Sequence, residues 1–232
     1  MQEYTHRISG KRITTVGVMH AATDASWSEL IDFLKEKESQ GAVIHLEGVQ
    51  EAVGRTDYER ASLNTLTSLM MLGKKIANLT GLTYQTDAFA NAPRWEKHDV
   101  TKLDVVQKMS QKTLKVLGQV SAEEITISPR KALWSLRNMH IIAPLGNLIP
   151  FTRGIISSEG ILHQRNRFAV SAALDTDRDV VLVWGAAHLP GMDRILRDAE
   201  YDRSVHSWRL MLDSSYEAPG GKHKVSLSEP VS

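Results

Sequence analysis

One short pattern, Gly-x-x-His placed directly after a hydrophobic run, occurs twice in this sequence and is the feature best suited to chemistry. The first copy is Gly17-Val-Met-His20 after Ile13–Val16; the second is Gly185-Ala-Ala-His188 after Val180–Trp184. A third run of the same kind ends at His45-Leu-Glu47-Gly48. Imidazole ligates metals and moves protons near neutral pH, and a carboxylate can do either. Glycine lets the chain turn sharply and lets a substrate or metal approach the backbone. One histidine at a strand end is ordinarily a hydrogen-bonded structural residue. Two in equivalent contexts, with a carboxylate at a third strand end, point to a site built from His20, Glu47 and His188. His45 alternates to the same face as Glu47, one pleat deeper, and reads as a core or supporting residue.

A second group is His163-Gln-Arg165-Asn166-Arg167, at the start of a helical stretch. Arginine offers a fixed fork for a carboxylate or oxyanion, and asparagine donates or accepts. Taken alone, these residues read as a solvated helix face. His-Glu-x-x-His, Gly-x-Ser-x-Gly, the P-loop and Gly-x-Gly-x-x-Gly are all absent. Arg94-Trp95-Glu96-Lys97-His98 mixes both charge signs and reads as a turn, not a nucleic-acid patch.

The elements that must position these residues follow from patterning. Arg12–Val18 is β-branched and strand-like, and Thr23 or Asp24 caps a helix to Ser39 that places Trp27, Leu30, Ile31 and Leu34 on one face. Gln40-Gly41 stops it before a strand over Ala42–Glu47, a βαβ unit whose strands should lie parallel. Asp57–Leu79 reads as a long helix, apolar on two faces and therefore buried, with its methionines as core filler, and Gly81 ends it. A short extended piece, Leu82–Gln85, follows. Asp99 or Thr101 caps a helix over 99–118, with further helix to about Met139. An apolar, Pro- and Gly-punctuated segment spans 140–156, and a polar helix covers 163–174. Asp179–Trp184 has the continuous apolar run of a strand buried on both faces. Pro190 opens a helix to about Glu200, and Ser204–Leu212 alternates as a final strand. The expected architecture is α/β: a central, mainly parallel, mixed sheet with helices on both faces. It forms one domain over 1–212, followed by a flexible tail over 213–232.

Composition bounds the function. The 232-residue chain is 42% hydrophobic and has no cysteine, which excludes disulfides, iron–sulfur clusters and thiol nucleophiles. A formal net charge of +1 argues against a dedicated nucleic-acid binder, which needs a basic excess. Residues Met1–Arg7 lack the pattern of a secretion signal, and no apolar run approaches the ~20 residues that span a bilayer. The expected location is the cytoplasm.

Together, Gly17-Val-Met-His20, Leu46-Glu47-Gly48, Arg165-Asn166 and Val183-Trp-Gly-Ala-Ala-His188-Leu-Pro-Gly191 resemble the TraB/PrgY/GumN family. That family is related to the TIKI metalloproteases and, more distantly, to the ChaN and erythromycin-esterase proteins. The resemblance spans roughly residues 12–212, with little signal in the middle third. It implies an erythromycin-esterase/ChaN-like fold and a metal site of His20, Glu47 and His188 holding Mn, Co, Zn or Fe. It also implies Arg165 and Asn166 as catalytic or oxyanion-binding residues, with Arg55 and Arg165 contacting substrate. Gly48 departs from the longer Glu-Leu segment of many relatives. Three activities are compatible with these residues, the first of them the favoured expectation and the other two its alternatives. The first is a metal-dependent hydrolase of peptides or small esters. The second is a metal-independent esterase with histidine as general base oriented by Glu47. The third is a non-catalytic binder of peptide, haem or metal. A homodimer is compatible with each.

Overall fold

The computed structural model describes residues 1–90, 92–93, 95–109, 111, 114, 125–130, 159–207 and 223–225. A six-stranded mixed sheet organises them. Its strands are β1 (Gln2–His6), β2 (Arg12–Val18), β4 (Val43–Leu46), β6 (Glu96–Lys97), β8 (Val180–Gly185) and β9 (Tyr201–His206). The order across the sheet is β6-β4-β8-β2-β1-β9. Strands β6, β4, β8 and β2 run parallel, while β1 is antiparallel to both of its neighbours. The two strands of the βαβ unit, β2 and β4, are therefore parallel as expected, but β8 inserts between them. Every residue of β8 is buried, as its unbroken apolar run requires of a central strand.

Alternation along the strands divides the core in two. Val180, Leu182 and Trp184 pack with Ala169, Val170 and Ala173 of helix α5 (Glu159–Leu174) and with Met192 and Leu196 of helix α6 (Leu189–Asp198). On the opposite face, Val181, Val183, Ile44 and Leu46 pack with Trp27 and Leu34 of helix α1 (Asp24–Ser39). Helices thus cover both sheet faces, and each buried side chain of this size contributes about 1.5–3 kcal/mol of transfer free energy. Thr23 caps α1, accepting from the Ser26 N–H, and the turn after it needs Gly41 at φ +95°, a backbone region that side-chain-bearing residues avoid.

Helix α2 (Asp57–Leu79) carries the expected bounds, started by a capping box in which Thr56 and Glu59 exchange bonds. Among its described positions, Ile76 and Leu79 are partly buried. Leu63 and Ala77 are buried, whereas Met70 is exposed and does not fill the core. A two-strand piece joins β3 (Ala21–Ala22) to β5 (Thr83–Tyr84), and the short helix α3 (Gln85–Ala88) follows directly. Helix α4 (Lys102–Lys108) is capped by Thr101 with Asp104, not by Asp99.

The segment read as a turn, 94–98, instead contributes β6, paired in parallel with β4. The final strand begins at Tyr201, earlier than expected, and forms the sheet edge beside β1, a strand the patterning did not identify. Within the expected tail, β10 (His223–Val225) pairs with β7 (Ile125–Ile127). The apolar 140–156 segment and most of 110–139 lie outside the described residues. Among the described residues, no helix is long and apolar enough to cross a membrane.

Candidate active site

The strand order brings the three expected groups together. The carboxyl ends of β4, β8 and β2 are adjacent, so Glu47, the turn Ala186–His188 and His20 surround one point beyond the sheet edge, where parallel α/β sheets place ligands. Glu47 continues the ladder from β4, its N–H bonding Val183 O at 2.9 Å. Its carboxylate is 8% exposed, and one oxygen, Oε2, accepts from the Gly185 N–H. That oxygen also lies 3.9 Å from His20 Nε2. The other, Oε1, accepts from Arg165 Nη2 at 2.6 Å and lies 3.6 Å from His188 Nε2. Gly185 has to be glycine here. A Cβ would stand 3.1 Å from both Glu47 Oε2 and His20 Nε2.

Arg165 sits at the centre of the cluster, clamped side-on by Asp99. Its Nε donates to Asp99 Oδ1 at 3.0 Å and its Nη2 to Oδ2 at 2.6 Å. Nη2 also donates to Glu47, and Nη1 donates to His188 Nε2 at 3.3 Å. The guanidinium lies over the Trp184 ring, 5.4 Å from its centroid. Four of its five N–H donors are thereby engaged, and the fifth, on Nη1, has no partner among the described residues. Asp99 is wholly buried and also accepts from the Gly48 and Val100 N–H groups. Patterning suggested Asp99 only as a helix cap, and its spacing from Arg165 in sequence carries no signal of the pair.

Tautomers follow from donor counting. Arginine can only donate, so His188 Nε2 must accept and its proton is on Nδ1, which donates to Asn166 Oδ1 at 2.6 Å. Burial pushes the His188 pKa down to about 4, with Arg165 and His20 adding to the effect, so this imidazole is neutral at pH 7. His20 is the open member, its side chain 48% exposed. Its Nδ1 donates to Gln85 Oε1 at 2.8 Å, while the Gln85 N–H returns a bond to His20 O at 2.8 Å. In that tautomer the lone pair is on His20 Nε2, 3.9 Å from Glu47 Oε2. Burial by itself would raise the Glu47 pKa. His20 when protonated, the Arg165 charge, His188 when protonated and the Gly185 N–H together hold it below the ordinary carboxylate value. Burial likewise opposes the Arg165 charge, but its bond to Asp99 and the charges of Glu47 and Asp99 keep it fully cationic.

Asn166 is buried on the α5 stripe that continues as Ala169, Val170 and Ala173, whereas His163 and Arg167 are exposed. A polar residue interrupting an apolar stripe was the readable signal for Asn166. Arg55 is exposed ahead of α2. Its N–H bonds Glu59, and no described contact joins it to the cluster, which does not support the substrate-binding role expected of it. Gln85 had no sequence signal. His45 is buried beneath Glu47, stacked on His98 with ring centroids 3.8 Å apart.

The donor set does not fit a metal held by His20, Glu47 and His188. Among the described residues, those three do not bring their ligand atoms within 4.8 Å of one another. The space between Glu47 Oε1 and His188 Nε2 is taken by the Arg165 guanidinium, a fixed positive charge 2.6 Å and 3.3 Å from the two atoms. A cation there would be repelled, and the single lone pair of His188 Nε2 is already used. No protein-family model, curated protein or solved structure matches the chain.

Proposed function

We propose that the chain is a metal-independent hydrolase of acyl substrates, small esters or peptides, with His20 as general base and Glu47 as the carboxylate facing it. This reading retains the resemblance to the TraB/PrgY/GumN and erythromycin-esterase group and takes its metal-free branch. One observation carries it. The half-exposed His20 has its unprotonated Nε2 turned toward an ionised, buried carboxylate, with an arginine N–H beside them that lacks a partner among the described residues.

The chemistry balances simply. A water in the gap between His20 and the substrate gives a proton to His20 Nε2 as its oxygen bonds to the acyl carbon. The carbonyl π pair moves onto oxygen, and the fifth Arg165 N–H stabilises the charge that develops there. Glu47 then faces an imidazolium, which its negative charge favours. Collapse of the tetrahedral intermediate breaks the acyl bond, and His20 returns the proton to the departing alkoxide or amine. His188 and Asn166 do not touch the reacting atoms. They fix the guanidinium plane, as do Asp99 and the Trp184 face.

A general base of this kind is worth about 10²–10⁴ in rate. His20→Ala is therefore expected to lower hydrolysis of aryl esters by at least about 100-fold while leaving the melting temperature unchanged, because His20 is half exposed. Excess EDTA leaves wild-type turnover intact. Turnover that is abolished by chelator and restored by Mn, Co or Zn would overturn the metal-free mechanism. Stoichiometric ligand binding without product would replace the enzyme with a binding protein.

A further inference from the structure

A second cluster of ligating groups lies one pleat below the strand-end site, on the other edge of β4. His45 on β4 is the register partner of Glu96 on β6, and His98 follows β6 directly. One ligand atom from each of His45, Glu96 and His98 lies within 4.8 Å of the others. His98 Nε2 is 2.7 Å from Glu96 Oε2, and the His45 and His98 rings stack at 3.8 Å. His45 is 4% exposed, yet its Nδ1 has no hydrogen-bond partner among the described residues. A buried imidazole nitrogen without a partner is uncommon, because the group loses its hydration and gains nothing in return. Among the described residues, no lysine or arginine is hydrogen-bonded to these three side chains as Arg165 is to Glu47 next door. Glu96 and His98 are each other's partners, and Lys97 turns its stem toward Gly48.

We propose that His45, His98 and Glu96 form a binding site for one divalent transition metal, zinc first among them, that ties the edge strand β6 to β4. Two neutral imidazoles and a carboxylate are the donor set that such ions take in three-ligand sites, with water completing the shell. Calcium and magnesium, which want oxygen ligands, are excluded by the two nitrogens. The exposed Glu96 carboxylate leaves the site open for the ion to enter. The consequence reaches the catalytic cluster through the backbone. His98 N–H bonds Leu46 O at 3.3 Å, and the next residue is Asp99, which grips Arg165. A metal on His98 therefore anchors the residue beside the Arg165 clamp without touching the reacting atoms.

The test is calorimetric titration of zinc into full-length, untagged, EDTA-stripped protein, with cobalt absorption and thermal melting as second readouts. Wild type is expected to bind one zinc per chain and to melt at a higher temperature with zinc than without. His98→Ala, at a partly exposed position, should weaken binding at least tenfold and abolish the zinc-dependent rise in melting temperature. Glu96→Gln should weaken it less. His20→Ala should bind as wild type does, which separates this site from the strand-end cluster. Absence of zinc binding by folded wild type, or equal binding by His98→Ala, would overturn the site. Loss of binding in His20→Ala with retention in His98→Ala would do the same, and would also place the metal at the strand ends, against the proposed mechanism.

Discussion

Arg165 shows how one side chain can organise a buried cluster that no neighbouring residue announces. Its charge is surrounded by two carboxylates, at Asp99 and Glu47, that are almost fully withdrawn from water. Removing one partner of such a set leaves an unpaired buried charge, which costs about 3–5 kcal/mol. Arg165→Met is therefore expected to lower the unfolding free energy by that order and to abolish turnover, as read by urea denaturation and ester hydrolysis. Arg165→Lys keeps the charge but loses the side-on fork to Asp99. The expected outcome is a folded protein with turnover reduced by about 100-fold, the scale of losing one oxyanion donor. Wild-type rates in Arg165→Lys would remove the guanidinium from the mechanism.

The strand-to-turn junctions are the elements on which the geometry depends. Gly185 ends β8 with its N–H on Glu47, and the absence of a side chain there is what allows Glu47 and His20 to approach. Gly185→Ala adds one methyl group against both. The neighbours must give by a few tenths of an ångström, less than the ~1 Å that costs about 100-fold in rate, so kcat should fall by less than that while the far-ultraviolet spectrum stays native. An unchanged kcat would show that the Glu47–His20 gap tolerates widening. By contrast, the capping box of α2 lies away from the cluster. Thr56→Ala should cost about 1 kcal/mol of stability with no change in turnover.

For the molecule as a whole, the buried His188 couples folding to pH. Its pKa is depressed to about 4 in the native state, against an ordinary value of 6.5. Below pH 6.5 the unfolded chain binds a proton that the native chain refuses. Stability is therefore fully present above that pH and falls as the pH drops from 6.5 toward 4, by up to about 1.4 kcal/mol per pH unit for this one group. Glu47, held below its ordinary value, adds a further loss only below about pH 4.5. Melting temperatures across pH 4–8 should show this slope, and His188→Gln should reduce it between 6.5 and 4, the rest coming from His45, which burial also pushes down to about 4. An equal slope in both proteins would mean that the titrating group lies elsewhere.

Much of this was readable from local pattern. The bounds of β2, α1 and α2, the stop at Gly41, the buried β8 and the Gly-x-x-His turns depend on residue type and short-range spacing. Periodicity, caps and glycine conformations act over a few residues and need no knowledge of the rest of the chain. The same spacing placed His20, Glu47 and His188 at strand ends and therefore on one edge of a parallel sheet. It could not order the strands. Insertion of β8 between β2 and β4 depends on pairing across more than 130 residues, and that order is what makes the three ends adjacent. Nor could it find Asp99, Gln85 or the His45–His98 stack, since each meets its partner only after β6 and α3 have docked. The largest difference is chemical. From sequence, a metal is expected at His20, Glu47 and His188, with Arg165 as an oxyanion-binding residue. The packing of α5 over Trp184 puts Arg165 there, because a buried carboxylate must be neutralised by whichever cation the fold delivers.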